Sequence, residues 1–229
     1  MDTQDHLKQS AAEAAVGLVE DGMIVGLGTG TTAKFAVAAL GKRVKEGLQI
    51  VTVPTSEATA SQARSVGIRV SSLAEHIEVD LTIDGADEIQ RGTLDLIKGH
   101  GGALLREKVV ASASRRLVII ADETKLVDQL GTHFALPVEV VQFGWQAAER
   151  KLQQLGAHTR LRFGPDEKPF VTDGGNFILD CTFNPIRDPA ALDQALNGVV
   201  GVVEHGLFLK MTSRAIVAGQ NGVQVLERR

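Results

Sequence analysis

The chain has 229 residues, of which 44% are hydrophobic and 23% are charged, and its mean hydropathy is +0.05. These values are typical of a globular protein and exclude both a disordered chain and a small disulfide-stapled domain. Because 24 basic and 28 acidic residues give a net charge of −4, we expect no nucleic-acid-binding surface, and an anionic ligand must be met by local positive groups.

We expect the protein to be cytoplasmic. Cys181 is the only cysteine, which excludes an internal disulfide, and the polar, acidic N-terminus differs from the cationic start of a signal peptide. The longest strongly apolar runs, such as residues 117–121, fall far short of the roughly 20 residues that span a bilayer. No membrane span is therefore predicted.

The first 125 residues predict β/α units. Apolar runs, small-residue turns and helical patterns recur there, which is typical of a mostly parallel sheet. Ligands of open α/β sheets bind beyond the carboxyl ends of the strands, and each apolar run here is followed by polar or glycine-rich sequence. We therefore expect the five loops to share one crevice. The predicted strands are residues 23–27, 50–53, 79–83, 93–97 and 117–121.

The pattern changes after Leu136 and predicts a second, smaller domain. Strands and helices there follow the order βαββαβ, which is typical of a ferredoxin-like domain. Residues 208–218 and 223–226 then predict a hairpin that returns to the first domain. The fold class is therefore α/β, with a Rossmann-like, mostly parallel sheet domain and an inserted α+β domain. The predicted boundaries are 1–130 and 207–229 for the first domain and 131–206 for the second.

The loop of residues 26–32, Gly-Leu-Gly-Thr-Gly-Thr-Thr, leads from the first predicted strand into a helix near Ala33. Glycines let backbone N–H groups approach an anion, three hydroxyls add donors, and the helix N-terminus adds partial positive charge, so a phosphate fits. A dinucleotide site is disfavoured, because Thr31 replaces a fingerprint glycine and residues 49–52, where an acidic ribose ligand would stand, include no acidic residue. The alternative is a tight turn in which the threonines only cap the helix.

Two aspartates, Asp84 and Asp87, follow the third predicted strand. Their spacing lets both carboxylates converge on one polar substrate. Aspartates at strand ends also cap turns, and that structural role is an alternative. Paired carboxylates also bind Mg²⁺, but no third hard ligand stands at a suitable local spacing.

Residues 98–108, Lys-Gly-His-Gly-Gly-Ala-Leu-Leu-Arg-Glu-Lys, place a lysine before a glycine-rich turn and a helix predicted to end near Ser114. The Lys98 ammonium and the helix N-terminus can jointly face developing negative charge. Apolar residues three and four positions from Glu107 can raise its pKa towards that of a useful general base. A solvated or ion-paired glutamate is the alternative, because Lys108 has similar neighbours.

Other polar positions are weaker candidates. Lys125 follows a strand end and can reach a phosphate, and Lys8 lies in the first predicted helix. Thr55 and Ser56 are expected to cap the next helix. His100 lies between glycines, and the sequence offers it no partners for a Ser-His-Asp arrangement.

Together these motifs resemble the A-type ribose-5-phosphate isomerase family. Residues 26–32, 84–88, 98–108 and 121–125 carry the resemblance in family order, and it extends over essentially the whole chain. The resemblance implies a reversible aldose–ketose isomerisation of D-ribose 5-phosphate to D-ribulose 5-phosphate through an enediolate, in the non-oxidative pentose phosphate pathway. It also implies a small sugar phosphate as ligand, no cofactor, no metal, and a homodimer or homotetramer.

The same resemblance implies roles for individual residues. Glu107 would be the general base, Lys98 and the loop through Gly101 would contact the sugar and stabilise charge, and Asp84 and Asp87 would act on sugar hydroxyls and ring opening. No catalytic role is implied for His100, which stands where the family often carries glycine. The implied substrate-binding residues are Thr29, Gly30, Thr31, Thr32, Asp84, Gly85, Ala86, Asp87, Lys98, Gly99, His100, Gly101, Lys125 and Lys8.

Two other functions fit parts of this pattern. An amino-sugar phosphate deaminase on the same fold would release ammonia from its substrate. A sugar-phosphate-sensing regulator would carry an added basic helix-turn-helix region, but the first β/α unit begins within about two dozen residues of Met1 and the net charge is negative.

Overall fold

The computed structural model describes residues 3–183 and 185–228. The helices are α1 (Thr3–Val16), α2 (Thr31–Lys45), α3 (Glu57–Ser65), α4 (Leu104–Ser112), α5 (Trp145–Gln154) and α6 (Pro189–Asn197). The first seven strands are β1 (Ile24–Leu27), β2 (Val51–Pro54), β3 (Leu81–Gly85), β4 (Glu88–Gln90), β5 (Leu96–Ile97), β6 (Leu117–Asp122) and β7 (Leu126–Val127). The remaining strands are β8 (Leu136–Val140), β9 (His158–Leu161), β10 (Phe177–Thr182), β11 (Val202–His205), β12 (Leu207–Phe208), β13 (Arg214–Gly219) and β14 (Gly222–Glu227).

The main sheet has the strand order β14-β13-β6-β3-β1-β2 and is parallel except for β14. Strand β6 lies at its centre and is buried along its whole length. Val118 and Ile120 pack into the cluster that contains the buried faces of α1 and α2, and Leu117 and Ile119 pack into a cluster on the other side. This two-sided burial explains why the strand is a continuous apolar run.

A change of direction in the main sheet locates the crevice. Strand β1 lies between β2 and β3: the chain first adds β2 on one side of β1 and then adds β3 on its other side. The loops that leave β1 and β3 therefore diverge, and such a switch point leaves an opening beyond the carboxyl ends of the strands. Residues 28–32 and 84–87 lie there.

The inserted domain has the predicted βαββαβ order, which confirms the ferredoxin-like fold. Its sheet has the order β11-β8-β10-β9 with antiparallel neighbours throughout. Leu152 of α5 and Leu196 of α6 pack with Val138 and Leu179 in one buried cluster. The boundaries at residues 130/131 and 206/207 stay a prediction.

Two predicted strands differ from the structure. Of residues 93–97, only Leu96–Ile97 forms a strand, and it belongs to a third sheet of order β12-β5-β4-β7. The predicted strand 208–218 is divided into β12 and β13, because Lys210 has a left-handed backbone (φ 58°) and β12 pairs with β5. The hairpin of β13 and β14 forms as predicted, with Gly222 (φ 98°) in its turn.

No helix within the described part of the chain is long and apolar enough to cross a membrane.

Glu88, in β4, joins the third sheet to the loop before β8. Its carboxylate is fully buried and accepts backbone N–H bonds from Gly131 (2.6 Å), His133 (2.6 Å) and Phe134 (2.9 Å). Because buried donors that lose their acceptor pay a desolvation penalty, this one carboxylate fixes the course of residues 131–134.

We predict that Glu88→Gln lowers the free energy of unfolding by about 1–3 kcal/mol, because the amide group replaces one acceptor oxygen with a donor. Urea unfolding followed by circular dichroism measures the effect. Glu46→Gln, at the exposed C-terminus of α2, is the matched control and should change stability by less than about 0.5 kcal/mol. Equal stability of the two variants would contradict the role of Glu88.

Candidate active site

A cavity of about 310 Å³ opens beyond the carboxyl ends of β1 and β3. It brings together residues from four of the five predicted loops, and Lys8 of α1 joins them. Asp84 is the one predicted site residue that does not line it. The lining residues are Gln4, Lys8, Thr29, Gly30, Thr31, Thr32, Gly85, Ala86, Asp87, Lys98, Gly99, His100, Gly101, Glu107 and Lys125.

Asp84 lies beneath the cavity and joins the loops after β1 and β3. Its Oδ1 accepts the N–H groups of Thr29 (3.2 Å) and Gly85 (2.7 Å), and its side chain is buried. A Cβ on Gly28 would lie 1.9 Å from the same oxygen. Glycine is therefore required at position 28 because the aspartate occupies the space of a side chain.

The threonine loop leads directly into α2. Gly30 precedes the helix with φ 113°, a conformation that favours glycine, and no side chain caps the first turn. Thr31 and Thr32 consequently lie at an N-terminus whose N–H groups point towards the cavity, which suits an anion. Helix α2 starts two residues earlier than the predicted Ala33, because glycine takes the place of a capping side chain.

The hydroxyl of Thr29, a residue that lines the cavity, has protein partners on and before α3. Its Oγ1 lies 2.8 Å from the Thr55 and Ser56 hydroxyls and 3.2 Å from that of Thr59. Ser56 also accepts the Thr59 N–H and caps α3, as predicted. Thr29 therefore links the first loop to α3.

Lys98 is buried at the base of the cavity. Its ammonium lies 3.0 Å from Asp84 Oδ2 and 3.3 Å from Glu107 Oε2, and it donates to the Gly85 carbonyl at 2.6 Å. Burial by itself would lower the pKa of Lys98, but the two carboxylates outweigh it and raise that pKa above its ordinary value. Lys98 therefore carries a permanent positive charge in a site that is largely closed to water.

Glu107 lies in the first turn of α4 with only 3% of its side chain exposed. Burial raises the pKa of Glu107 to about 8, the neighbouring Asp84 adds to this, and Lys98 opposes it. Its Oε2 lies 3.3 Å from the Lys98 ammonium and receives no hydrogen bond from any described residue. Burial also raises the pKa of Asp84, but Asp84 accepts N–H groups from Thr29 and Gly85, so we assign the more tightly held proton to Glu107.

Short strands in the third sheet place Lys98. The residue follows β5 directly, and its N–H donates to the Gly206 carbonyl at 2.9 Å. A Cβ on Gly206 would lie 2.1 Å from the Lys98 carbonyl oxygen, so the absence of a side chain permits this close approach.

Positive and aromatic groups surround the mouth of the cavity. The Lys125 ammonium lies 4.3 Å from the centre of the Phe134 ring, and the His100 ring meets the same ring edge-on at 4.9 Å. His100 Nε2 lies 3.1 Å from the Ala135 carbonyl, which directs the imidazole towards that loop. Lys8 lies 3.9 Å from Asp5.

Sequence reasoning did not single out Gln4 or Phe134. Gln4 lines the cavity and donates to Asp122 at 3.4 Å, and Phe134 orders the groups at the mouth. Gln4 lies in the N-terminal segment over which the family resemblance extends, but the resemblance implies no role for it, and Phe134 lies in no recognisable motif. Among the described residues, no group of three or more His, Cys, Asp or Glu could hold a metal ion.

Known proteins resemble this chain over nearly its full length. A family profile described as ribose 5-phosphate isomerase A (phosphoriboisomerase A) matches residues 51–222. A ribose-5-phosphate isomerase A of Gloeobacter violaceus is 60% identical over 222 residues, which cover 97% of this chain and 96% of that relative.

Solved structures agree with that similarity. Ribose 5-phosphate isomerase A of Methanocaldococcus jannaschii superposes with a TM-score of 0.94 at 38% identity, covering 98% of this chain and 99% of that one. A D-ribose-5-phosphate isomerase in complex with phospho-erythronic acid superposes with a TM-score of 0.95 at 38% identity over 100% of both chains. These likenesses confirm the predicted fold class.

The raised pKa of Glu107 predicts a pH dependence of stability. Between the ordinary value of 4.5 and about 8, the folded state holds a proton that the unfolded state has lost. The stabilisation is therefore complete below about pH 4.5 and is lost once the pH has risen through about 8. Between these values the free energy of unfolding falls by about 1.4 kcal/mol for each pH unit. Urea unfolding from pH 5 to 8 should show wild type losing stability relative to Glu107→Gln. Parallel curves would contradict the assignment.

Proposed function

This chain belongs to the ribose 5-phosphate isomerase A family, and we propose that it interconverts D-ribose 5-phosphate and D-ribulose 5-phosphate through an enediolate. The observation that carries the proposal is the buried Glu107–Lys98 pair at the base of a cavity whose wall includes a helix N-terminus. A base beside a fixed cation is the arrangement that removal of a carbon-bound proton requires.

The phosphate is proposed to bind at the N-terminus of α2. Thr31 and Thr32 supply hydroxyls and N–H groups there, and Lys8 and Lys125 add positive charge from other elements lining the cavity. Binding at this end fixes the sugar carbons relative to Glu107, so that phosphate binding energy contributes to catalysis. The complex of a relative with phospho-erythronic acid supports a sugar-phosphate-like ligand.

Glu107 is proposed to act on the open-chain sugar. With its pKa raised to about 8, Glu107 acts as the base in its ionised form, which is the minor form at neutral pH. This carboxylate takes the proton from C2 while the electron pair moves to the C1 carbonyl oxygen, which gives an enediolate. The same carboxyl returns the proton to C1, and the C2 hydroxyl proton passes to the oxygen at C1, which gives the ketose. Lys98 stabilises the oxyanion throughout, because its charge is already in place before the reaction.

The two aspartates are proposed to have different tasks. Asp87 lines the cavity and can contact sugar hydroxyls during ring opening. Asp84 reaches the cavity only through Lys98, so its main effect is to hold that ammonium charged and in position. This assignment shifts the ring-opening role expected for both residues towards Asp87.

An amino-sugar phosphate deaminase is the second candidate, and its substrate would occupy a similar sugar-phosphate cavity. Family membership favours the isomerase. Incubation with an amino-sugar phosphate and measurement of ammonia separates the two reactions.

The homodimer or homotetramer, the cytoplasmic location and the place in the pentose phosphate pathway stay predictions. Light scattering of the purified protein measures its oligomeric state.

We expect Glu107→Gln to lower kcat by about 10²–10⁴-fold, because loss of a general base costs this much, while KM changes little. The amide keeps the size of the side chain but cannot accept the C2 proton. Coupled spectrophotometric assays of ribulose 5-phosphate formation measure both constants, with Glu46→Gln as control. Turnover near that of wild type would remove Glu107 from the mechanism.

We also expect purified protein to convert ribose 5-phosphate to ribulose 5-phosphate in D₂O that contains EDTA. Deuterium should enter at carbon, because the proton held by Glu107 exchanges with solvent before it is returned. Nuclear magnetic resonance follows product and label together. Failure to form ribulose 5-phosphate without chelator would refute the isomerase, and failure only with chelator would show a metal requirement.

A further inference from the structure

Arg162 lies outside the cavity but contacts the loop that forms its wall. Its Nη1 donates to the carbonyl oxygens of Gly99 (2.8 Å) and His100 (3.2 Å). Its Nε donates to Asp180 Oδ2 at 3.1 Å, and Nη2 pairs with the other oxygen of that carboxylate. Arg162 and Asp180 are only 14% and 11% exposed. The guanidinium therefore connects the inserted domain to the glycine loop.

The inserted domain holds Arg162 rigidly. Its N–H donates to the Ile178 carbonyl (2.9 Å), and its carbonyl accepts the Phe170 N–H (2.9 Å). Asp180 then fixes one edge of the planar guanidinium and leaves Nη1 directed at the loop. Only the planar guanidinium group can bond the Asp180 carboxylate along one edge and the loop carbonyls with its remaining nitrogen, so lysine is not equivalent at position 162.

Peptide geometry links these bonds to the cavity. In a trans peptide the C=O and N–H groups point in opposite directions. The Gly99 carbonyl faces Arg162, and the following N–H, that of His100, accordingly donates to Asp87 Oδ2 at 3.0 Å. The His100 carbonyl also faces Arg162, so the Gly101 N–H is directed the other way, on the side of the cavity that Gly101 lines.

The Gly101 N–H is free to bind a ligand. Within residues 3–183 and 185–228 it has no hydrogen-bond acceptor. Gly99 (φ 111°) and Gly102 (φ 79°) have left-handed backbones, and glycines allow many alternative peptide orientations. The turn is closed by the Gly102 N–H, which donates to the Gly99 carbonyl at 3.0 Å. Among the described residues, the His100 carbonyl accepts only from Arg162, so this bond is the restraint that the inserted domain adds to the direction of the Gly101 N–H.

We propose that Arg162, held by Asp180, is a positioning residue that directs the Gly101 N–H into the cavity, where it donates to the oxyanion of the enediolate. The proposal rests on the proposed function. It gives the inserted domain a part in catalysis without placing any of its side chains in the cavity.

Arg162→Met should lower kcat about 10- to 100-fold with little change in KM. Removal of an oxyanion donor lowers kcat by about 10²–10³-fold, and a donor that stays but is misdirected should cost less. Arg162→Lys should recover only part of the rate, and Asp180→Asn should lower kcat in the same direction. The double variant Arg162→Met/Asp180→Asn should be no worse than Arg162→Met alone, because both changes act through one guanidinium. Arg150→Met, at an exposed position of α5 in the same domain, is the matched control.

A binding experiment separates positioning from a general structural defect. Titration calorimetry should show weaker binding of 4-phospho-D-erythronic acid, whose carboxylate lies at the end away from the phosphate, to Arg162→Met than to wild type. Binding of inorganic phosphate should be unchanged, because α2 is not altered. Equal losses for both ligands, or an unchanged kcat in both Arg162→Met and Asp180→Asn, would overturn the proposal.

Chemical rescue provides a second readout. Millimolar guanidinium should raise kcat of Arg162→Ala, whereas the same salt should not raise kcat of Arg150→Met. Absence of rescue together with a normal kcat for Asp180→Asn would also contradict the proposal. Wild type serves as reference throughout, so an inactive wild type refutes the proposed function, and an active wild type with unaffected variants refutes only the role of Arg162.

Discussion

The buried ammonium of Lys98 is the interaction on which the site depends. It is paired with two carboxylates, Asp84 and Glu107, and bonded to the Gly85 carbonyl in a region with little access to water. A buried charge is stable only when partners compensate it, so the loops that supply these partners must keep their positions. One ammonium cannot fully neutralise two carboxylates, and the excess negative charge with burial keeps a proton on Glu107 near neutral pH. The buried Lys98 ammonium and its carboxylate partners therefore determine both the positions of the loops and the raised pKa of Glu107.

Two glycines of the site allow the close packing around Asp84 and Lys98, in addition to any contact that glycines make with a ligand. Gly28 leaves room for Asp84, and Gly206, between β11 and β12, allows close approach to the backbone of Lys98. Neither glycine has a left-handed backbone in the structure. Gly30 and Gly99 do require it, and they turn the chain where N–H groups face the cavity. The two domains meet on the second of these turns, where Arg162 bonds the loop from the inserted side.

Much of the fold could be predicted from the sequence because its signals are local. The apolar run of β6 reflects burial on both faces, and the βαββαβ order of the inserted domain follows from alternation and helical spacing. The cap at Ser56 is also a short-range pattern. The loops after β1, β3 and β6 could be grouped because parallel strands place their carboxyl ends at one edge, whereas the Lys98 loop follows β5 of the third sheet. The strands of two or three residues in the third sheet could not, since they are too short to show a period.

The sequence by itself determined the chemical groups of the site: a lysine, carboxylates, a threonine loop at a helix start, and the family to which the motifs belong. Only the tertiary structure decided what each group can do. The proton assignment depends on burial and on the distances between Asp84, Lys98 and Glu107. These residues come from three different elements, β3, the loop after β5 and α4, so only packing sets the distances. The separation of Asp84 from the cavity and the contact of Arg162 with the glycine loop likewise arise from long-range packing. Electrostatic effects depend on position in space, and no local pattern encodes that.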